Sequence, residues 1–213
     1  MILAVQIPGG ERDKERKFKM KATLWFPAVV LALLAGPAGF AGDSSARLAY
    51  GLYQVESEAC QRNMTALNAF LRAYARDHQG MLPEGNNFAG LRKLGVYGAD
   101  FTHFVCRGNS FRKARSNQDL SEEKNPFFYF GGMNLEAAAK TSPNIPLLCD
   151  KPGGRHTNIL FVDGRVETLA FNQFKRKISN CRDLIEQLHA QYHYSPEVLE
   201  MLRLKAGAID NAR

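Results

Sequence analysis

The sequence predicts an α+β fold, and three observations predict it. A long amphipathic periodicity runs over residues 46–76. Short β-prone segments bounded by turn residues follow it, the last two joined by Asp163-Gly164. Two further amphipathic stretches close the chain. Helix first, strands grouped, helices last is the order of an α+β domain, not of alternating βαβ units.

Residues 46–76 place Leu48, Leu52, Val55, Ala59, Met64, Leu67, Leu71 and Tyr74 at spacings of mostly three or four. Arg47, Gln54, Glu58, Arg62, Arg72 and Arg76 fall between them, as in an amphipathic helix. About 30 residues exceed the usual globular helix, so the first third is expected to stand clear of the core. Gly80 and Pro83 end the element, the glycine as a left-handed cap. Ala89–Leu94 reads as a short helix and Phe101–Cys106 as a short strand. Residues 107–126 are polar and read as a loop. "FFYFGG" (127–132) and "NIPLLCD" (144–150) read as strands. Asn158–Val162 and Arg165–Leu169 flank Asp163-Gly164 as a two-residue hairpin, with a type I′ turn setting Phe161 opposite Val166 and Val162 opposite Arg165. A second helix is expected over 172–192 and a third over 195–206, the latter with Ser195 as cap and Pro196 at its first position.

Ahead of these elements, Ala22–Ala41 carries no charge, follows a Lys-rich stretch and ends in Gly39-Phe40-Ala41. A positive end, an apolar centre and small residues at the last and third-last positions describe a signal peptide, with Met20-Lys21 as an ordinary start for one. The alternative is a retained membrane anchor, because about 20 apolar residues just span a bilayer. Either way the chain is expected to be exported, to the periplasm or anchored in the inner membrane facing it. Three domains result: 1–41, 42–171 and a C-terminal helical extension, 172–213. The net charge is +7, but residues 42–213 carry only 22 basic against 18 acidic side chains. No run of Arg and Lys is long enough for a nucleic-acid partner.

In an oxidising compartment the four cysteines, with no C-x-x-C pair among them, suggest two disulfides. Three connectivities are open; Cys60–Cys181 with Cys106–Cys149 is favoured here, and reduced buried thiols are the alternative. His156 stands in the loop before the first hairpin strand, and no second histidine or carboxylate recurs nearby at ligand spacing. His156, Asn158, Asp163 and Gly164 are therefore read as a structural motif, with no metal or cofactor. No Gly-x-Ser-x-Gly, His-Glu-x-x-His or phosphate loop occurs, and no enzymatic activity is expected.

"NILFVDGRVETL" (158–169), "ACQRNMTALNAFLRAYARDHQGMLP" (59–83) and "FTHFVCRGNS" (101–110) together resemble, in that family's order, bacterial type II secretion pseudopilin-like proteins with a prepilin-type processing-associated His-spacer-Asp-Gly domain. The resemblance implies a long N-terminal helix whose C-terminal half packs on a small antiparallel sheet. Its departures are a spacer of six residues between His156 and Asp163 where nine is usual, and Arg107 where a proline usually follows the Cys. "KMKATLWFP" also lacks the glycine and glutamate of a prepilin cleavage site. Calcium binding, a property of the major pseudopilins, has no Asp-rich loop to support it here.

The resemblance implies a non-enzymatic structural or interaction protein of the cell envelope, linked to type II secretion or a pilus-like assembly. Its partners would be pseudopilin or secretion-system subunits meeting the 46–76 helix, and the membrane if the apolar segment is retained. The alternative function is a soluble periplasmic binding module of the same fold that does not assemble. Its recognition surface would be the 107–126 loop and the aromatics Phe127, Phe128, Tyr129 and Phe130.

Overall fold

The computed structural model describes residues 44–85, 87–106, 113–152, 156–169 and 178–212, with side chains from residue 47. All lie in the second of two units, which divide between Gly42 and Asp43. The signal-peptide segment, residues 107–112, Gly153-Gly154 and the expected helical residues 172–177 lie outside the described residues. Among the described residues no helix is long and apolar enough to cross a membrane.

The chain is mixed helix and sheet, as predicted. Helix α1 (Ser44–Asp77) leads to a short α2 (Asn87–Leu91) and 3-10 turns at Arg92–Tyr97, Phe101–Phe104 and Glu122–Lys124. Then come β1 (Phe127–Tyr129), α3 (Leu135–Thr141), β2 (Pro146–Asp150), β3 (Thr157–Phe161), β4 (Val166–Leu169), α4 (Cys181–Tyr192) and α5 (Pro196–Asn211). The strands form one antiparallel sheet in the order β1-β2-β3-β4.

Successive strand residues point to opposite sheet faces, and here both faces are covered. Helix α1 crosses β3 and β4 on one face. On the other, Tyr192 at the end of α4 sets its ring 5.4 Å from Phe161 and donates to Glu167 Oε2 at 2.5 Å. Tyr194 donates to Asn144 O at 2.7 Å, and α4 packs along α5. One core joins Met64, Leu67 and Leu71 of α1, the strands, and Leu184, Leu188 and Leu202 of the C-terminal helices.

Helix α1 has two apolar stripes. Met64, Leu67 and Leu71 are fully buried, and the same side continues towards the N-terminus through Cys60, Ser57 and Tyr53. Leu48, Leu52 and Val55 are 67%, 51% and 57% exposed. At 3.6 residues per turn they lie about a third of a turn round the helix from the buried stripe. The single stripe expected over residues 46–76 therefore divides, and its first part faces away from the sheet.

Three local expectations change. Phe101–Phe104 is a 3-10 turn and not a strand, because Asp100 caps it: its carboxylate accepts the Thr102 N–H at 2.9 Å, and the Asp100 N–H donates to His103 Nδ1 at 3.2 Å. Helix α4 starts at Cys181 and not at 172, because Asn180 caps it by accepting the Asp183 N–H at 2.8 Å. The hairpin has a three-residue loop. Phe161 N–H donates to Arg165 O and Gly164 N–H to Phe161 O, both at 2.9 Å. Gly164 alone of the loop has positive φ, +95°. This is a type I turn closed by a glycine bulge, so Leu160 faces Val166 and Phe161 faces Arg165, one residue from the expected register. The Arg165 guanidinium lies over the Phe161 ring at 4.6 Å.

Phe127, Phe128, Tyr129 and Phe130 are core residues, 0–1% exposed, and offer no recognition surface. The expected caps of α1 and α5 hold. Gly80 is left-handed (φ +82°) and donates to Ala75 O at 2.7 Å, and Ser195 caps α5 ahead of Pro196.

Candidate functional site

Antiparallel pairing of β2 with β3 sets the last residue of β2, Asp150, beside the start of β3. There the Asn158 N–H donates to Asp150 Oδ2 at 2.7 Å. His156 immediately precedes β3, and its Nε2 lies 3.6 Å from the same oxygen. Helix α1 crosses above. Ser57 Oγ donates to Asn158 Oδ1 at 3.0 Å, and Cys60, one turn further along the same side, reaches the Asp150–His156 pair. The segment leaving the 3-10 turn at Phe101–Phe104 supplies Cys106, whose sulfur is 3.4 Å from His156 Nε2. Asn63 Nδ2 holds that segment to α1 by donating to Val105 O at 2.7 Å.

Four side chains from four separate parts of the chain thus converge. One ligand-type atom from each of Cys60, Cys106, Asp150 and His156 lies within 4.8 Å of the others, and none of the four residues is more than 4% exposed. The His156 ring meets Tyr53 edge-on with centroids 6.2 Å apart.

Burial dominates the electrostatics. It raises the Asp150 carboxyl to about 8, with the charge of Cys60 adding to the effect and the Asn158 N–H opposing it. Burial alone would lower His156, but the hydrogen bond to Cys60 and the charge of Asp150 outweigh it and leave the imidazole raised. Asp150 Oδ1 and His156 Nδ1 are buried and accept or donate no hydrogen bond among the described residues.

The residues singled out in the sequence separate. Asp163 and Gly164 sit in the hairpin loop at the far end of β3 from His156, where Asp163 Oδ1 accepts the Arg165 N–H at 2.9 Å. Asn158 is the buried tie between α1, β3 and β4: its Oδ1 also accepts from Thr168 Oγ1 at 2.6 Å. The carboxylate beside His156 is Asp150, six residues upstream across a strand connection.

The cysteines sort by sheet face. Cys149 and Asp150 are neighbours in β2 and point to opposite sides, so Asp150 joins Cys60 and Cys106 under α1. Cys149 lies towards Cys181 of α4, whose charge, after burial, helps push the Cys149 thiol well up. The expected pairs Cys60–Cys181 and Cys106–Cys149 each draw one member from either side of the sheet.

No protein-family model, curated protein or solved structure matches this chain.

Proposed function

We propose that this is an exported, non-enzymatic structural or interaction protein of the bacterial cell envelope, with a pseudopilin-like arrangement. Its docking surface is the N-terminal part of α1, and its partners there are helices of pilus-like or secretion-system subunits. One observation carries the reading: Leu48, Leu52 and Val55 are exposed at i, i+4 and i+7 on a side of α1 that the sheet does not use. A monomer gains nothing from leaving three aliphatic side chains in register in water, whereas a helix laid alongside them buries the whole stripe. The apolar segment 22–41 lies just upstream in the sequence and makes a membrane-adjacent helix the fitting partner. The long helix followed by a small antiparallel sheet supports the same reading. The alternative of a soluble binding module keeps only the 107–126 loop as its surface, because the aromatics are core.

Fractionation of the native host combined with protease treatment of spheroplasts tests this. The protein should be found in the envelope fraction and be cleaved by external protease. Recovery of the intact, protease-protected chain from the cytoplasmic fraction overturns the proposal.

A further inference from the structure

We propose that Cys60, Cys106, Asp150 and His156 bind one zinc ion in a closed, four-coordinate site that fastens α1 to the sheet. The donor set is the first argument. Two sulfurs, one imidazole nitrogen and one carboxylate oxygen suit zinc, and sulfur ligands disfavour calcium and magnesium. Distance is the second. Zinc at about 2.3 Å from sulfur and about 2.0–2.1 Å from nitrogen or oxygen sets tetrahedral ligand atoms about 3.3–3.8 Å apart. The Cys106–His156 separation, 3.4 Å, already falls in that range, and Asp150 Oδ2, the oxygen beside the candidate ligand Oδ1, lies 3.6 Å from the same nitrogen. The widest of the remaining separations, within 4.8 Å, closes on an ion by side-chain rotations of about an ångström.

Burial decides the kind of site. All four residues are 0–4% exposed, so no coordination position opens to solvent, which marks a structural and not a catalytic zinc centre. Asp150 supplies the independent sign of a cation. Among the described residues nothing donates to its buried Oδ1, while Oδ2 is held in place by the Asn158 N–H, an outer-shell contact of the kind that orients metal-bound carboxylates. Burying a carboxylate oxygen without a donor is costly, and a divalent cation removes that cost.

The four ligands come from α1, the segment after Phe104, the end of β2 and the start of β3. One ion therefore links parts of the chain up to 96 residues apart, and it lies just beyond the hydrophobic contact that Met64, Leu67 and Leu71 make with the sheet. Binding displaces the protons of both thiols and of the carboxyl if it is protonated, and the imidazole binds in its neutral form. The inference is independent of what α1 docks against.

The test uses the full chain, stripped with chelator under reducing conditions and titrated with zinc alone against a chromophoric competitor. One equivalent should bind, release protons and raise the melting temperature. Cobalt in place of zinc should show the visible absorption of a tetrahedral ion together with thiolate-to-cobalt charge transfer. Cys106→Ser and His156→Gln should each weaken zinc by about 100-fold or more, beyond the 10- to 100-fold usual for outer-shell losses. Cys149→Ala, on the other sheet face, should bind as the parent does. Should a ligand variant fail to fold, the cobalt spectrum of the unaltered chain still decides. Zinc that washes off on gel filtration, a cobalt spectrum without sulfur bands, or a Cys60–Cys106 disulfide mapped in protein taken from its native envelope would each overturn the proposal.

Discussion

Replacing Asn158 with alanine removes a buried polar tie between α1 and the sheet, including the long Nδ2 contact to Ser57 O at 3.4 Å, and leaves the backbone pairing of the strands in place. Asn158 is fully buried; its Oδ1 accepts from Ser57 Oγ at 3.0 Å and from Thr168 Oγ1 at 2.6 Å. Each such bond contributes about 1 kcal/mol net, so the pair is worth about 2 kcal/mol. The larger penalty for orphaned groups does not arise, because Ser57 Oγ and Thr168 Oγ1 lie 3.2 Å apart and bond to each other once the amide is gone. The space left by the amide adds up to about 1 kcal/mol, bringing the expected loss to about 2–3 kcal/mol. Urea unfolding in excess chelator measures it as a lower midpoint at unchanged slope. In a double-mutant cycle Thr168→Val should be coupled to Asn158→Ala by about 1 kcal/mol, since Thr168 Oγ1 donates directly to Asn158 Oδ1. A loss below about 0.5 kcal/mol, or strict additivity in the cycle, would refute the network as drawn.

Gly164→Ala should cost about 1–2 kcal/mol by chemical denaturation, since φ is +95° and a Cβ would meet Arg72 Nη2 at 3.0 Å and Asn68 Nδ2 at 3.1 Å. Leu67→Ala, in the middle of the buried stripe, should cost about 2–5 kcal/mol, whereas Leu52→Glu on the exposed stripe should change stability by no more than about 0.5 kcal/mol. In the chelator-treated chain the Asp150 carboxyl, raised to about 8, lies above its unfolded value of about 3.9, so the native state holds a proton that the unfolded state has released. The stability it contributes is full below about pH 4 and is lost as pH rises towards about 8. Melting temperatures between pH 5 and pH 8 should therefore fall, and Asp150→Asn should flatten that slope; an unchanged slope in the variant assigns the effect to other groups.

The fold was legible wherever one local pattern decided the outcome. Ser195-Pro196 placed the start of α5, Gly80 the end of α1, and the aromatic run 127–130 a buried strand. Errors arose where two local preferences compete. Phe101–Cys106 has strand composition, but the Asp100 cap wins. Asp-Gly suits a two-residue turn, yet Asp163 stays out of the left-handed region and Gly164 alone takes it, shifting the register by one. The division of α1 into two stripes was present in the spacing, hidden by the interval of five between Ala59 and Met64.

The site was far less legible. His156 and Asp163 drew attention because they stand close in sequence, but a strand's length separates them. The neighbours of His156 depend on three long-range facts: the β2–β3 pairing, the crossing of α1 over β3, and the position of Cys106 beyond a 3-10 turn of strand-like composition. The alternation of sides in β2 was the one usable signal. It places Cys149 and Asp150 on opposite faces and so argues, from the sequence, against treating the cysteines as an undivided set.

Site-specific photocrosslinking in the native envelope probes the docking surface on α1, with a photoreactive residue at position 52 of the full chain and an exposed control at Arg62 on the same helix. Position 52 should capture a helix of a pilus-like or secretion-system subunit, identified by peptide mass mapping, and position 62 should capture far less. Equal labelling at the two positions, or labelling of lipid and solvent alone at position 52, would contradict the proposed docking.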